Sequence, residues 1–222
     1  MKNNLRITIA QINTTVGDIA GNTKKIIASA IHARLKHQAD IIVFPELALT
    51  GYPPEDLLSR PELYQQTKMA LTQIQKKVKN IYLIFGLPTT EKQQYFNTAL
   101  VIYNGKILGS YHKQQLPNHG VFDEKRYFTA GTKSCVVTIK GVKIALVICE
   151  DLWFTQPVFA TKKLKAQLVI SINASPFDIQ KPQVREKILG QRARENNIPI
   201  VYVNSVGGQD EINIFHFLLN LG

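Results

Sequence analysis

The chain has 222 residues, of which 45% are hydrophobic and 19% are charged, as in an ordinary globular protein with one sizeable domain. Its apolar runs are too short to cross a bilayer, and the first, broken by Gln11 and Asn13, does not resemble a signal peptide. With only Cys135 and Cys149, the sequence predicts no disulfide framework and favours a reducing cytoplasm.

The formal net charge of +11 raises the question of nucleic-acid binding. The basic residues are scattered, and the densest group, Lys162, Lys163 and Lys165, fits one exposed face of a helix without interleaved aromatic residues. We therefore predict a solvated basic surface and no nucleic-acid partner. The five histidines show no metal-ligand spacing with either cysteine, so we predict no metal site.

Strands and helices alternate in the first part of the chain. Apolar periodicity predicts strands at 5–12, 41–44 and 81–85, and a helix from Asn22. A second helix is predicted to start with a capping box of Ser59 and Glu62. Ile27, Ala30, Ile31 and Leu35 are expected on the buried face of the first helix.

Two hairpins interrupt this alternation. Asn104-Gly105 joins the predicted strands 98–103 and 106–111, and Lys140-Gly141 joins 135–139 to the strand that follows. Further along, helices are predicted at 157–164 and 182–196 and strands at 168–172 and 200–203. The pattern predicts an α/β fold whose sheets contain both parallel and antiparallel strands.

The stretch Val142–Trp153 carries the first candidate for chemistry. Its unbroken apolar run predicts a buried central strand, and the run ends at Cys149, followed by Glu150 and Asp151. Open α/β sheets place their functional residues at such strand ends. On its own, however, a cysteine at this position is more often a small buried hydrophobic residue, and only the other candidate residues favour a chemical role for Cys149.

Other strands also end in polar residues. Glu46 follows the strand at 41–44, Lys113 follows the first hairpin, and Asn173 and Asn204 end two later strands. A carboxylate can take the proton of a thiol and an ammonium can stabilise an oxyanion, so with Cys149 these groups can form a cysteine nucleophile without histidine. Taken singly, Glu46 could cap a helix and Lys113 could be a surface charge.

Three motifs in order, Phe44-Pro45-Glu46, Tyr111-His112-Lys113 and Cys149-Glu150-Asp151, resemble those of the nitrilase (carbon–nitrogen hydrolase) superfamily. Within it, the chain is most similar to the glutaminase domain of glutamine-dependent NAD+ synthetases. The segments that carry this resemblance are AQINTTVGDIAGN, FPELALTGYPPEDLL, YHKQQLPNHGVFDEKRYF, VICEDLW, INASPF and VNSVGGQDE.

The resemblance implies a role for each matching residue. Glu46 is expected to be the general base, Cys149 the nucleophile and Lys113 the stabiliser of the tetrahedral oxyanion. Attack on the side-chain amide of L-glutamine would release ammonia and leave a glutamyl thioester for water to hydrolyse, with no cofactor. The positions implied to support this centre or to hold glutamine are His119, Glu124, Glu150, Ser175 and Lys181.

The resemblance also implies the fold and the domain organisation. We expect a nitrilase-like α-β-β-α sandwich of two mixed sheets that lacks its C-terminal strands. A glutamine amidohydrolase domain would cover residues 1–211, and 212–222 would be a divergent or truncated tail. An ATP-dependent synthetase domain is expected to be absent, so that ATP is no ligand here. A homo-oligomer is implied, and a separate synthetase chain is left open as a partner.

Two departures leave alternatives open. The resemblance leads us to expect tyrosine where the chain has His119, which affects the wall of the glutamine pocket rather than the catalytic residues. The segment 207–210 superficially resembles a pyrophosphate loop, but it lacks flanking serines, and we interpret it as a loop of the hydrolase. The alternatives are a stand-alone amidase of the same superfamily and an inactive truncated fragment.

Overall fold

The computed structural model of the chain describes residues 4–176, 181–209 and 212–214, with the backbone alone at 181, 209 and 212–214. The helices are α1 Ile19–His37, α2 Pro61–Lys77, α3 Glu124–Tyr127, α4 Thr155–Lys163 and α5 Lys181–Asn196. The strands are β1 Ile7–Ile9, β2 Ile41–Val43, β3 Tyr82–Glu91, β4 Gln94–Tyr103, β5 Lys106–His112, β6 Cys135–Ile139, β7 Val142–Ile148, β8 Leu168–Asn173, β9 Ile200–Asn204, β10 Gly207–Gln209 and β11 Ile212–Ile214.

Strands β1 to β9 form two mixed sheets. One has the order β1-β2-β3-β4-β5, and the other has the order β6-β7-β8-β9. Parallel pairs lie at β1–β2, β2–β3, β7–β8 and β8–β9, and hairpin pairs complete each sheet. None of the helices in the described ranges is both long and apolar enough to cross a membrane.

Successive side chains of the central strands point alternately to the two faces of their sheet, which places three apolar cores between the layers of the fold. Along β2, Ile42 joins a core with α1 and α2, whereas Ile41 and Val43 join a second core between the sheets. Along β7, Ile144 points into that intersheet core and Ala145 points toward α4 and α5. Successive residues of a strand face opposite sides, so a fully apolar strand can serve two cores. The predicted α-β-β-α sandwich is confirmed.

The buried face of α1 differs from the prediction. Ile27 and Ala30 are buried, but Ile31 and Leu35 are exposed, and Ala33 is buried instead. The helix begins at Ile19, earlier than predicted, and its small alanines let it pack closely on the five-stranded sheet. Ile31 and Leu35 were predicted to be buried because they are large and apolar, but the smaller Ala30 and Ala33 lie on the buried face.

The predicted capping box of α2 is wrong. Its N-cap is Arg60, which makes no side-chain capping bond, and Ser59 donates instead to the carbonyl of Asp56 at 2.7 Å. Ser59 belongs to a preceding 3-10 turn, Glu55–Ser59, so its hydroxyl serves that turn. Pro61 does occupy the first turn of α2, where no donor is needed.

Both predicted hairpins are present, and the structure contains a third hairpin that the sequence analysis did not predict. Asn104-Gly105 and Lys140-Gly141 have positive φ at both turn residues, as two-residue hairpins of this type require. The additional hairpin joins β3 to β4 through Lys92-Gln93, also at positive φ but without glycine or asparagine. Near the end of the described chain, part of the segment interpreted as a loop forms β10, which pairs with β11.

Candidate active site

Glu46 follows β2, and three donors hold its carboxylate. Oε1 accepts hydrogen bonds from Lys113 Nζ at 2.7 Å and from Asn97 Nδ2 at 2.8 Å, and Oε2 accepts one from the backbone N–H of Ala174 at 3.0 Å. Glu46 is only 1% exposed. Because Ala174 follows β8, the last of these bonds fixes Glu46 relative to the opposite sheet.

Lys113 follows β5 and lies between two carboxylates. Its ammonium donates to Glu46 Oε1 and to Glu124 Oε1, both at 2.7 Å, and its side chain is fully buried. Burial alone would lower the pKa of Lys113, but the charges of Glu124 and Glu46 raise it well above its usual value. Lys113 is therefore a permanent cation at the centre of the cluster.

Glu124, the first residue of α3, is the second acid on Lys113. Burial raises its pKa to about 7, and the neighbouring Glu46 adds to this while Lys113 opposes it. Its Oε1 also accepts a hydrogen bond from the Tyr52 hydroxyl at 2.9 Å, whereas Oε2 is buried and has no partner among the described residues. Two buried carboxylates thus share one ammonium, and Glu124 gains a proton near neutrality.

Cys149 begins a 3-10 turn, Cys149–Trp153, directly after β7. Its φ is 45°, so the backbone turns sharply and the chain leaves the sheet at the thiol. Burial and the charge of Glu46 raise the pKa of Cys149 to about 12, against the opposing effects of Lys113 and of the hydrogen bond with Ser175. In the free site the sulfur is therefore a thiol, which needs a base in order to react.

Ser175 lies 3.3 Å from the sulfur of Cys149, measured from Oγ to Sγ. Its backbone is fixed on both sides by Asn204, which accepts from Ser175 N–H at 2.8 Å and donates to the Ser175 carbonyl at 3.1 Å. Asn173, by contrast, bonds to Ser171 and to the carbonyl of Val203 within the sheet. Of the two strand-end asparagines, Asn204 supports the site and Asn173 supports the sheet.

His119 and Glu150 lie at the edge of this cluster. His119 Nε2 is 3.6 Å from Glu150 Oε1, and the histidine ring meets Phe122 edge-to-face at a centroid distance of 5.8 Å. The side chain of His119 is 68% exposed and that of Glu150 18% exposed. They are accessible to a ligand, unlike the buried Glu46 and Lys113. Lys181 begins α5, and its side chain lies outside the described residues.

Asp151 is a buried acid to which the sequence reasoning gave no role. Oδ1 accepts from the N–H groups of Gln114 and Gln115 at 3.1 and 2.8 Å, and Oδ2 accepts from the Tyr111 hydroxyl at 2.8 Å and Ile148 N–H at 3.0 Å. Burial raises its pKa to about 6, while these bonds favour the anion. Asp151 therefore ties the chain next to Lys113 to the turn that carries Cys149.

Asn97 and Tyr52 were also missed as parts of the site. Asn97 lies in β4 between Phe96 and Thr98 and is 1% exposed, a degree of burial that is uncommon for asparagine and that only the structure reveals. Tyr52 received no role from its place in the sequence, although its hydroxyl donates to Glu124. Among the described residues, no group of three or more His, Cys, Asp or Glu could hold a metal ion.

The fold and the residues at its strand ends define a hydrolase class. Residues 6–217 match the carbon-nitrogen hydrolase family, and the chain belongs to that family. It is 44% identical over 210 residues to the glutamine-dependent NAD(+) synthetase of Xanthomonas campestris pv. campestris (strain 8004), covering 94% of this chain. The match covers 38% of that relative, so the chain spans well under half the length of this NAD(+) synthetase.

Solved structures show the same relationship. The glutamine-dependent NAD+ synthetase of Acinetobacter baumannii, solved with adenosine diphosphate, superposes with a TM-score of 0.91 at 41% identity, over 94% of this chain and 40% of that one. The NitN amidase of Nesterenkonia sp. AN1 superposes with a TM-score of 0.85 at 28% identity, over 95% and 82% of the two chains. The structure of a mutant amidase from the same organism shows acrylamide added at the active-site cysteine.

Proposed function

We propose that this chain is a glutamine amidohydrolase, the ammonia-releasing part of a glutamine-dependent NAD+ synthetase. The observation that carries the proposal is the buried cluster of Glu46, Lys113 and Glu124, whose charges all act on the Cys149 thiol. A base, a fixed cation and a thiol are the groups that amide hydrolysis through a thioester requires. The glutamine-dependent relatives supply the choice of amide.

In the first half-reaction Cys149 attacks the side-chain amide carbon of glutamine. The thiol proton passes to Glu46 as the sulfur–carbon bond forms, and the carbonyl oxygen becomes an oxyanion stabilised by the ammonium of Lys113. Collapse of the intermediate breaks the carbon–nitrogen bond. The leaving nitrogen takes the proton from Glu46 and departs as ammonia, leaving a glutamyl thioester on Cys149.

In the second half-reaction water replaces ammonia. Glu46 takes a proton from the water as its oxygen bonds to the thioester carbon, and Lys113 again stabilises the oxyanion. Breakage of the carbon–sulfur bond releases glutamate and returns the proton to the sulfur. The chain's own side chains and water are sufficient for these steps, and ATP would be needed only in the synthetase portion of the longer relatives.

Residues around the thiol would hold the amino-acid end of glutamine. The partly exposed carboxylate of Glu150 complements the α-ammonium group, and His119 with Phe122 offers an aromatic wall beside it. Ser175 supplies a hydroxyl next to the sulfur. Lys181 is proposed from the family resemblance alone. A homo-oligomer and a separate synthetase chain are further expectations from the same resemblance.

The decisive experiment compares the two cysteines. We expect Cys149→Ala to lower glutamine hydrolysis by at least about a thousandfold, because nothing else in the cluster can form the thioester. Cys135→Ala is the matched control, since Cys135 is also buried but lies in β6 within the intersheet core. A glutamine-like alkylating agent should label Cys149. Labelling of Cys135, or unchanged turnover after Cys149→Ala, would contradict the proposal.

A stand-alone amidase is the second candidate, favoured by the similarity to the Nesterenkonia amidase over most of both chains. The same cluster would hydrolyse a short aliphatic amide equally well in chemical terms. Specificity constants for glutamine and for propionamide separate the two functions. Preference for propionamide would replace the glutaminase proposal while leaving the roles of Glu46, Lys113 and Cys149 intact.

A further inference from the structure

The hydroxyl of Ser175 lies between the nucleophile and a tyrosine that the proposed mechanism does not use. Ser175 Oγ is 3.3 Å from Cys149 Sγ on one side and 2.9 Å from the hydroxyl oxygen of Tyr202 on the other. Tyr202 lies in β9, next to the strand that leads to Ser175. The three polar atoms therefore form a row that ends at the sulfur.

The two hydroxyl-bearing residues of this row, Ser175 and Tyr202, are held in place. Asn204 fixes the backbone of Ser175 through both its N–H and its carbonyl. The guanidinium of Arg185 lies over the ring of Tyr202 at 5.6 Å from the centroid, and the same group reaches the Pro176 carbonyl at 3.5 Å. The hydroxyl of Ser175 can therefore rotate, but its position relative to Cys149 and Tyr202 is fixed.

The number of hydrogens in the row limits how it can be arranged. Ser175 and Tyr202 each have one hydroxyl hydrogen. If Ser175 donates to Tyr202, it has no hydrogen left for the sulfur. If Tyr202 donates to Ser175, the Ser175 hydrogen is free to point at Cys149. Burial raises the pKa of Tyr202 above its usual range, so Tyr202 keeps its hydrogen at neutral pH.

We propose that Tyr202 is a positioning residue, which donates to Ser175 and thereby directs the Ser175 hydroxyl hydrogen at Cys149, stabilising the thiolate. This inference rests on the proposed function only in taking the thiolate as the nucleophile. Two hydroxyls in series strengthen each other as donors when the final acceptor is charged. Tyr202 thus acts on the sulfur without touching it.

The other groups that influence the sulfur belong to different elements. The charge of Glu46 after β2 and that of Glu124 in α3 oppose the thiolate, and Lys113 after β5 favours it. Arg185 of α5 and Glu46 act on Tyr202 itself. Replacing the Tyr202 hydroxyl leaves all of these charges in place, so a change in thiol reactivity can be assigned to the hydroxyl row.

The experiment measures alkylation of Cys149 by iodoacetamide across pH, by intact mass, in the Cys135→Ala background. We expect Tyr202→Phe and Ser175→Ala to move the alkylation profile to higher pH and to slow alkylation about three- to tenfold at a fixed pH below the midpoint. Adding Tyr202→Phe to Ser175→Ala should cause no further slowing, because Tyr202 acts only through Ser175. Tyr64→Phe is the matched control, since the Tyr64 hydroxyl donates to the Leu58 carbonyl, far along the chain from the thiol.

The outcomes separate this inference from the proposed function. An unmoved profile in Tyr202→Phe, or a double variant in which the two effects add, would overturn the role of Tyr202. A shifted profile in a protein that does not hydrolyse glutamine would support Tyr202 and reject the glutaminase. Ser175→Ala removes a single hydroxyl from a partly buried loop residue, so it tests the row even if Tyr202→Phe fails to fold.

Discussion

The two sheets contribute chemically different halves of the candidate site. Glu46 and Lys113 follow strands of the five-stranded sheet and form a buried ion cluster with Glu124. Cys149, Ser175 and Tyr202 belong to the four-stranded sheet or its loops and form an uncharged row of a thiol and two hydroxyls. The charged half cannot be buried without its internal partners, whereas the uncharged half can.

In the proposed mechanism, this division makes catalysis depend on how the sheets pack. The proposed base, Glu46, and the proposed nucleophile, Cys149, come from different layers, so their separation is set by the apolar core between the sheets. Among the described residues, two sets of hydrogen bonds cross between the halves as polar links. One is the bond from Ala174 N–H to Glu46, and the other is the set of bonds that reach Asp151 from the end of β5 and the residues after it. Mutations in the charged half should therefore lower the stability of the fold most. Mutations that break one of the links should lower it by less than these but by more than mutations in the uncharged half.

The largest effect on stability is expected when the charged half loses its cation. Lys113→Met leaves Glu46 and Glu124 as two buried carboxylates without a counter-charge, which should lower the free energy of unfolding by about 3 to 5 kcal/mol and abolish hydrolysis. Urea denaturation followed by circular dichroism measures the free energy of unfolding. Lys125→Met, an exposed lysine in the same region, should change stability little. Equal stability of the two variants would mean that the cluster is not charged as described.

The next effect depends on pH. The folded-state pKa of Glu124, about 7, is above the ordinary value of 4.5, so folding takes up a proton between these values and stability is lost as pH rises through 7. Glu124→Gln mimics the protonated acid and should be more stable than the parent at about pH 8, by up to about 3 kcal/mol. Near pH 4.5 the advantage should vanish. Thermal melts at both pH values test this, with the exposed Glu186→Gln as control.

Breaking one of the links between the two halves should lower the free energy of unfolding by less than Lys113→Met does. Asp151→Asn replaces one acceptor oxygen with an amide N–H₂ group that faces existing donors, so we expect a loss of about 1 to 3 kcal/mol in stability. Turnover should fall as well, because Gln114 and Gln115 follow Lys113 directly. Asp123→Asn, at an exposed acid, is the control for both measurements. Full activity in the Asp151 variant would show that the link does not position Lys113.

The smallest effect is expected at the mouth of the site. His119→Tyr enlarges the aromatic wall on Phe122 and removes a group that, when protonated, competes for Glu150. We expect a two- to tenfold lower KM for glutamine, about 0.5 to 1.5 kcal/mol, with the fold unchanged. Steady-state kinetics measure the KM for glutamine, with His32→Tyr as the control variant. An unchanged or higher KM would show that His119 is already suited to the substrate.

The sequence locates Glu46 and Cys149 because each stands where an apolar strand run ends, and strand ends are where sheets expose their side chains. Lys113 follows the mostly polar end of a hairpin strand, so the Asn104-Gly105 hairpin marks its place rather than an apolar run. The two glycine-containing hairpins could also be predicted from the sequence, since Asn104-Gly105 and Lys140-Gly141 favour the positive φ that their turns require.

The features that were missed depend on contacts between distant residues. Asp151 looks like a surface acid locally, and only the donors brought by Tyr111, Gln114 and Gln115 make its burial possible. Lys92-Gln93 lacks the residues that mark a hairpin, and the pairing of β3 with β4 imposes its geometry. The Tyr202 row likewise depends on β9 lying beside β8, which no local pattern specifies.

The left-handed backbone of Cys149 limits which residues this position can hold. At a φ of 45°, a side chain branched at Cβ is strongly disfavoured, whereas an unbranched one is tolerated. Threonine, although a competent nucleophile elsewhere, would be strained at this turn before any substrate arrived. Among side chains with a thiol or an aliphatic hydroxyl, the bend that brings the thiol out of the sheet therefore excludes threonine and leaves cysteine or serine, independently of the reaction performed there.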